Sequence, residues 1–138
     1  MGKIGMKEKI LIVDDEPDVL DSLKMVLEAQ NYDVMTATNG KECMDRLEEG
    51  FKGVILLDLM MPVMDGWDTI KEIIEKGYMK DVAIEVISAL GTRENKRMGA
   101  LEPYIYDYLT KPLDIKELVE SVKKCNDYLF AKESEGSF

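Results

Sequence analysis

Short apolar runs alternate along this chain with segments whose apolar residues recur at helical spacing. The first run, residues 10–13, is continuously apolar and leads into acidic residues, which is typical of a strand buried on both faces. Pro17 then predicts the first turn of a helix, because proline fits there without losing a hydrogen bond. The predicted strands span residues 9–13, 33–37, 54–57, 83–87 and 105–109. This alternation predicts an α/β fold in which helices cover both faces of a parallel sheet.

Glycines and capping residues mark the helices between these strands. The second and third helices are predicted to end at Gly50 and Gly77, since glycine readily takes the left-handed conformation that follows a helix. The fourth, over residues 92–101, is polar and is interrupted by Gly99. Asp114 begins a sequence with the spacing of a capping box, which predicts the start of the fifth helix.

A single domain over residues 9–130 accounts for all of these elements. We expect residues 1–8 to form an N-terminal extension and residues 131–138 a frayed, polar C-terminal tail. The sequence contains no visible linker, internal repeat or low-complexity segment. No output module is therefore expected beside the domain, and 138 residues suffice to bury a core.

Composition excludes several classes of function. The chain has 18 basic and 28 acidic residues, a formal net charge of −10, which disfavours binding to nucleic acid and to anionic membranes. No apolar run approaches a membrane span and no signal peptide is visible, so a cytoplasmic location is expected. Cys43 and Cys125 are expected to be reduced thiols. The absence of histidine excludes histidine-based catalysis and an internal phosphohistidine.

Acidic residues follow two of the predicted strands. Asp14, Asp15 and Glu16 come after the first strand and Asp58 after the third. Ligands bind at the carboxyl ends of parallel strands, where these carboxylates would converge and repel one another unless a cation lay among them. Mg²⁺ prefers such oxygen ligands. Alternatively, the first three residues cap a helix and Asp58 is a turn residue.

A hydroxyl and an ammonium group extend the same rim. Ser88 follows the fourth predicted strand and Lys111 follows the fifth. A carboxylate nucleophile, a metal ion, a hydroxyl and a lysine together can hold a phosphoryl group and neutralise its charge. Taken alone, Ser88 could instead bond to the backbone and Lys111 could be a solvated surface lysine.

Four segments, in order, resemble the receiver domains of two-component response regulators, including the stand-alone chemotaxis regulators. They are ILIVDDEP at 10–17, DLMMPVMDG at 58–66, VISA at 86–89 and DYLTKP at 107–112. The resemblance spans roughly residues 9–129. It implies a flavodoxin-like fold, a doubly wound five-stranded parallel sheet with strand order 2-1-3-4-5.

The resemblance also implies a metal site. Asp15 and Asp58 would bind Mg²⁺ directly, Asp14 would act through water, and the Met60 carbonyl would complete the ligands.

Phosphoryl-group chemistry follows from the same resemblance. Asp58 would accept the phosphoryl group, and Lys111 would contact it after a cis peptide bond to Pro112. Ser88 and Tyr108 would form the switch pair, with the ring moving inward as the hydroxyl approaches the phosphoryl group. The chain would then be a signalling switch and not an enzyme with its own substrate, although it would assist its own phosphorylation and dephosphorylation.

Partners are implied in the same way. A histidine kinase, a phosphotransfer protein or a small acyl phosphate would supply the phosphoryl group, and a downstream protein would bind the helix 4, strand 5 and helix 5 face. The sequence departs from the family around Pro103, where we expect one of Tyr104 and Tyr106 to pack and the other to be exposed. A phosphate-independent interaction module and an aspartate-nucleophile phosphatase are the alternatives.

One departure concerns the lifetime of the phosphorylated form. Met60 lies two residues after Asp58, and Leu90 lies two residues after Ser88. In the family these positions flank the path of hydrolytic water. Apolar side chains there predict slow hydrolysis and a long-lived phosphoryl group.

Overall fold

A computed structural model describes residues 7–89 and 96–136 of the chain. The strands are β1 Lys9–Val13, β2 Asp33–Ala37, β3 Gly53–Asp58, β4 Val82–Ser88 and β5 Ile105–Thr110. The helices are α1 Pro17–Ala29, α2 Gly40–Glu48, α3 Gly66–Glu75, α4 Lys96–Leu101 and α5 Ile115–Gly136. Short 3₁₀ turns at Met79–Asp81 and Glu102–Tyr104 precede β4 and β5.

The five strands form one parallel sheet in the order β2-β1-β3-β4-β5, which confirms the predicted fold class. The chain turns from one half of the sheet to the other between β1 and β3. Val13 of β1 lies opposite Leu57 of β3, so the residues that follow each of them are neighbours. In doubly wound sheets this point of reversal is where ligands bind.

Helices cover both faces of the sheet, as the continuous apolar runs predicted. Leu11 and Val13 belong to a core that β1 shares with α2 and α3, while Ile10 and Ile12 belong to a second core shared with α1 and α5. Because successive side chains of a strand point to opposite faces, a strand covered on both sides needs apolar residues at every position. All four residues of β1 from Ile10 to Val13 are buried, which explains why this segment is continuously apolar.

The proline, the capping residue and the glycines predicted several helix ends correctly. Pro17 is the first residue of α1, and the side chain of Asp114 accepts a hydrogen bond of 3.0 Å from the Glu117 amide at the start of α5. Gly50 and Gly77 follow α2 and α3 with φ of 102° and 79°, the left-handed conformation that glycine adopts without strain.

The ends of α4 and α5 differ from expectation. The predicted tail from residue 131 is helical as far as Gly136, because Leu129 is buried and the Lys132 ammonium reaches the Met79 and Val82 carbonyl oxygens at 2.7 and 3.3 Å. The helix α4 continues through Gly99, and the first part of its predicted range, up to residue 95, lies outside the described residues.

The pairing of β4 and β5 contains a bulge that the sequence analysis did not anticipate. Glu85 lies opposite Asp107, and Tyr106 is the extra residue of β5. Tyr106 and Asp107 both lie towards α5, and Tyr108 then packs into the opposite core. Bulges are frequent beside functional sites because they redirect the side chains that follow.

Within the described residues, none of the helices combines the length and apolar character needed to cross a membrane.

Candidate functional site

The carboxyl ends of β1 and β3 bring two buried carboxylates beside one lysine. Asp14 is 0% exposed and Asp58 is 3% exposed. The Lys111 ammonium lies 3.2 Å from an oxygen of each carboxylate. Buried charges require such a partner, because transfer from water is costly for an isolated ion. The structure therefore brings together three side chains that the sequence analysis had assigned to one rim.

Each carboxylate is oriented by the backbone as well as by the lysine. One oxygen of Asp14 accepts the Glu16 amide at 2.9 Å, and one oxygen of Asp58 accepts the Met60 amide at 3.0 Å. The second oxygen of each faces Lys111. The loops after β1 and β3 thus hold the two carboxylates at fixed angles towards a shared cation.

Two more carboxylates stand at the mouth of the site. Asp15 and Glu16 are exposed, and with Asp14 they offer oxygens that lie within 4.8 Å of one another. Glu16 immediately precedes α1, where an acidic side chain also complements the helix dipole. The ends of β1 and β3 thus carry four carboxyl groups, of which Lys111 contacts only those of Asp14 and Asp58. This excess of carboxylates suits a hard divalent cation with oxygen ligands.

Burial and neighbouring charges change the pKa values of Asp58 and Lys111. Burial raises the pKa of Asp58, and the adjacent charge of Asp14 adds to this, while the Met60 amide and Lys111 oppose it. Burial lowers the pKa of Lys111, but the two carboxylates outweigh that effect and raise it overall. Lys111 is therefore a permanent cation, and Asp58 carries a charge that burial makes costly.

Ser88 and Lys111 are joined through the backbone. Ser88 is buried at the end of β4, and its carbonyl oxygen accepts the Lys111 amide at 2.9 Å. The Lys111–Pro112 peptide bond is cis, which confirms the expectation from the resemblance. The amide of Leu59, next to Asp58, donates to the Ile87 carbonyl at 3.2 Å, so the ends of β3, β4 and β5 form one connected rim.

The tyrosines of β5 take different environments. Tyr108 is half-buried against the core on the α3 side of the sheet. Tyr106 packs on the α5 side, where its ring lies 5.0 Å from that of Tyr128. Tyr104 is exposed. The expectation that one of Tyr104 and Tyr106 packs and the other is exposed is therefore confirmed, and Tyr106 is the packed residue.

Of Met60 and Leu90, the two residues expected to slow hydrolysis of the phosphoryl group, the structure describes only Met60. Met60 is exposed, at 65%, beside the Asp58 carboxylate that its amide contacts. Leu90 lies outside the described residues. Slow hydrolysis stays a prediction.

Sequence reasoning missed two features of the loop that follows Asp58. Val63 has a φ of 67°, which is a true outlier for a β-branched residue, and it is highly exposed. No pattern in the sequence indicates this conformation. Gly66 is the first residue of α3, and the backbone of residues 58 and 59 leaves no room for a side chain at this position.

We expect the substitution Gly66→Ala to destabilise the protein by about 1–3 kcal/mol, the usual cost of overpacking. An added Cβ would lie 2.6 Å from the Leu59 Cα and 2.7 Å from the Asp58 carbonyl oxygen, and backbone atoms cannot move aside cheaply. Urea unfolding measures the effect.

The matched control is Gly99→Ala in α4, where an added Cβ meets no atom within 4 Å. We expect this variant to gain roughly 0.5–1 kcal/mol, because alanine favours the helix over glycine. Equal stabilities of the two variants would contradict the close approach at Gly66.

The fold and the residues at the carboxyl ends of its strands define a class of protein. It is a doubly wound α/β protein in which a lysine bridges two acidic residues at the point where strand order reverses. The response regulator receiver domain family matches residues 10–123. The chain therefore belongs to the family of response regulator receiver domains. Members of this family are signalling switches of two-component systems and interact with kinases or phosphotransfer proteins.

Known relatives agree with this assignment. A Haemophilus influenzae protein described as a transcriptional regulatory protein CpxR homolog is 36% identical over 115 residues, which are 83% of this chain. The chain spans 48% of the length of that relative.

Solved structures agree as well. A CheY-like receiver domain protein from Methanospirillum hungatei superposes with a TM-score of 0.84 at 36% identity, over 90% of this chain and 98% of that chain. The response regulator TrrA from Thermotoga maritima, solved in complex with Mg²⁺-BeF, has a TM-score of 0.73 at 30% identity, over 86% of this chain and 98% of its own.

Proposed function

We propose that Asp58 accepts a phosphoryl group from a histidine kinase or a phosphotransfer protein, with Mg²⁺ bound beside it. The observation that supports this most is the bridging of Asp14 and Asp58 by Lys111 at the point where strand order reverses. A lysine shared by two buried carboxylates is poised to transfer its contact to a new anionic group formed on one of them.

The residues present fit a magnesium ion. Asp15 and Asp58 would bind the ion directly with the Met60 carbonyl oxygen, and Asp14 would act through water. The exposed mouth formed by Asp15 and Glu16 leaves space for the waters that Mg²⁺ retains. The ion would neutralise charge on the transferring oxygens. The neighbouring structure of TrrA in complex with Mg²⁺-BeF supports this assignment.

The proposed transfer uses few groups of the protein. An Asp58 carboxylate oxygen attacks the phosphorus atom, and the bond from phosphorus to the donor nitrogen or acyl oxygen breaks, so the donor leaves with the electron pair. Lys111 moves its ammonium group from the Asp58 oxygen to a phosphoryl oxygen. No base is needed to remove a proton from the attacking group, because Asp58 reacts as the ionised carboxylate.

A switch in partner binding would follow from this transfer. Ser88 would donate its hydroxyl to the phosphoryl group, and Tyr108 would follow inward. Ser88 is tied to the Lys111 backbone and Tyr108 is already half-buried, so a displacement at the rim reaches β5 directly. The face formed by α4, β5 and α5 would then bind a downstream protein in one of two states. We propose that this occurs in the cytoplasm.

Intact mass after incubation with acetyl phosphate tests the proposal. We expect a single phosphoryl adduct that requires Mg²⁺ and is absent from Asp58→Asn. The matched control is Asp45→Asn, which removes an exposed carboxylate of α2 and should leave the adduct unchanged. A folded Asp58→Asn protein that still acquires the Mg²⁺-dependent adduct would contradict the assignment of Asp58.

A further inference from the structure

A second group of carboxyl residues lies between the sheet and α5. Glu85, in the middle of β4, is 0% exposed. Its Oε2 atom lies 2.8 Å from the Ser121 hydroxyl of α5, and the same hydroxyl lies 3.3 Å from an Asp107 oxygen of β5. One serine hydroxyl therefore stands between two carboxyl groups from two neighbouring strands.

Donor and acceptor counting restricts the protonation of this group. An ionised carboxylate only accepts hydrogen bonds, and a serine hydroxyl carries a single proton. If Glu85 and Asp107 were both ionised, Ser121 could donate to only one of them, and its other contact would oppose two lone pairs. A proton on one carboxyl group satisfies both contacts, because that group donates to Ser121 and Ser121 donates to the other.

Burial assigns the proton to Glu85. Its second oxygen, Oε1, is buried with no partner at hydrogen-bond distance among the described residues, and the nearby Cys125 thiol is only a weak donor. Such an oxygen is far more costly on an ionised carboxylate than on a neutral acid. Asp107 is only half-buried, and its other oxygen accepts the Tyr108 amide at 2.8 Å. The neutral member of the pair is therefore Glu85.

We infer that Glu85 keeps a proton in the folded protein and through it fastens α5 to β4 and β5, and that loss of this proton loosens α5. Ionisation would place a second charge beside Asp107 and would leave Ser121 able to satisfy only one of its two contacts. The bulge at Tyr106 is what brings Asp107 towards α5. This inference does not depend on the proposed phosphoryl transfer.

The surroundings of Glu85 contain no compensating cation among the described residues. Burial raises the pKa of Glu85 to about 7, although the Ser121 and Cys125 side chains partly oppose the shift, and Asp107 adds to it. Lys132, a charged residue of the same helix, is bound to backbone oxygens at Met79 and Val82. The polar or titratable groups near Glu85 are Asp107 and Tyr106 from β5 and Ser121 and Cys125 from α5, whereas β3 places the apolar Leu56 opposite it. The charge of Lys132 acts on Cys125.

Carbon-13 NMR of the Glu85 side-chain carboxyl group tests the protonation directly on the wild-type protein. We expect its titration midpoint near 7, displaced from the ordinary value of 4.5, while the exposed Glu120 of α5 serves as an internal comparison. A Glu85 resonance whose titration midpoint lies near 4.5 would overturn the inference.

Hydrogen exchange of the α5 amides tests the loosening. Glu85→Gln stays neutral at every pH, and its amide group can donate to Ser121 as the acid does. Above the Glu85 midpoint we expect the α5 amides of the wild type to exchange several-fold faster than those of Glu85→Gln at the same pH, and the two proteins to agree well below it. Equal exchange above the midpoint, or a difference that does not change with pH, would also overturn the inference.

Discussion

Replacing Lys111 by methionine should lower the free energy of unfolding without divalent cations by about 2–4 kcal/mol, somewhat less than removing one partner of a fully buried ion pair. Methionine keeps most of the length of lysine but lacks the charge. Asp14 and Asp58 would then lie buried beside each other with no cation, after losing both 3.2 Å contacts. Urea unfolding in the presence of a chelator measures the loss.

Mg²⁺ should restore much of this stability. An ion that binds the folded state stabilises it by about 2.7 kcal/mol at a hundred times its dissociation constant. We expect a larger gain from Mg²⁺ in Lys111→Met than in the wild type, because the ion would supply the missing positive charge. Unfolding curves of both proteins with and without Mg²⁺ make the comparison.

The matched control is Lys76→Met. Lys76 is the residue that caps the C-terminus of α3, and its ammonium lies 2.9 Å from a carboxylate oxygen of Glu72, one turn earlier. This ion pair is shorter than those of Lys111 but lies at the surface. Exposed pairs of this kind contribute less than about 1 kcal/mol. If the two variants lost the same stability in chelator, Lys111 would not be the cation that holds the carboxylates of the site.

Much of the fold could be predicted because its determinants are local. A strand covered on both faces requires a continuous apolar run, and β1 and β3 show such runs at residues 10–13 and 54–57. Pro17 and the glycines after α2 and α3 each act within one turn of the chain. The end of α5 could not be read in this way, because Lys132 is held by distant carbonyl oxygens and not by an apolar pattern.

The site was predictable for a different reason. Parallel strands bring their carboxyl ends to one edge, so residues that follow β1, β3 and β5 had to meet once the strand order was known. The bridging position of Lys111 between Asp14 and Asp58 is the outcome. Its exact contacts depend on loop geometry, including the left-handed Val63, and no short-range rule describes that geometry.

The contact of Glu85 with α5 was not predicted, although the sequence contains an indication of it. Glu85 lies inside the run predicted as the fourth strand, and a strand covered on both faces buries whatever it carries there. A glutamate in that position requires a partner. The partner is Ser121, from a helix, and the Ser121 hydroxyl also contacts Asp107, which the bulge at Tyr106 turns towards α5. Neither contact could be assigned from spacing alone.

The stability of the protein should consequently depend on the protonation of Glu85. The pKa of this group is about 7 in the folded protein and 4.5 ordinarily, so between these values the unfolded chain binds fewer protons than the folded one. The contribution of Glu85 is complete at pH values below 4.5 and is lost as pH rises through about 7. At about 1.4 kcal/mol for each pKa unit, the loss amounts to roughly 3 kcal/mol.

Glu85→Gln separates this effect from that of titrating groups that do not interact with Glu85, such as Asp58, because those groups contribute equally in both proteins. Subtracting the unfolding free energy of Glu85→Gln from that of the wild type at each pH should give a difference that falls by roughly 3 kcal/mol as pH rises through the same interval. Glu120→Gln, an exposed change on α5, should give a nearly flat difference. Parallel curves for the wild type and Glu85→Gln would show that Glu85 ionises as freely in the folded protein as in the unfolded one, and that Ser121 bridges two charges.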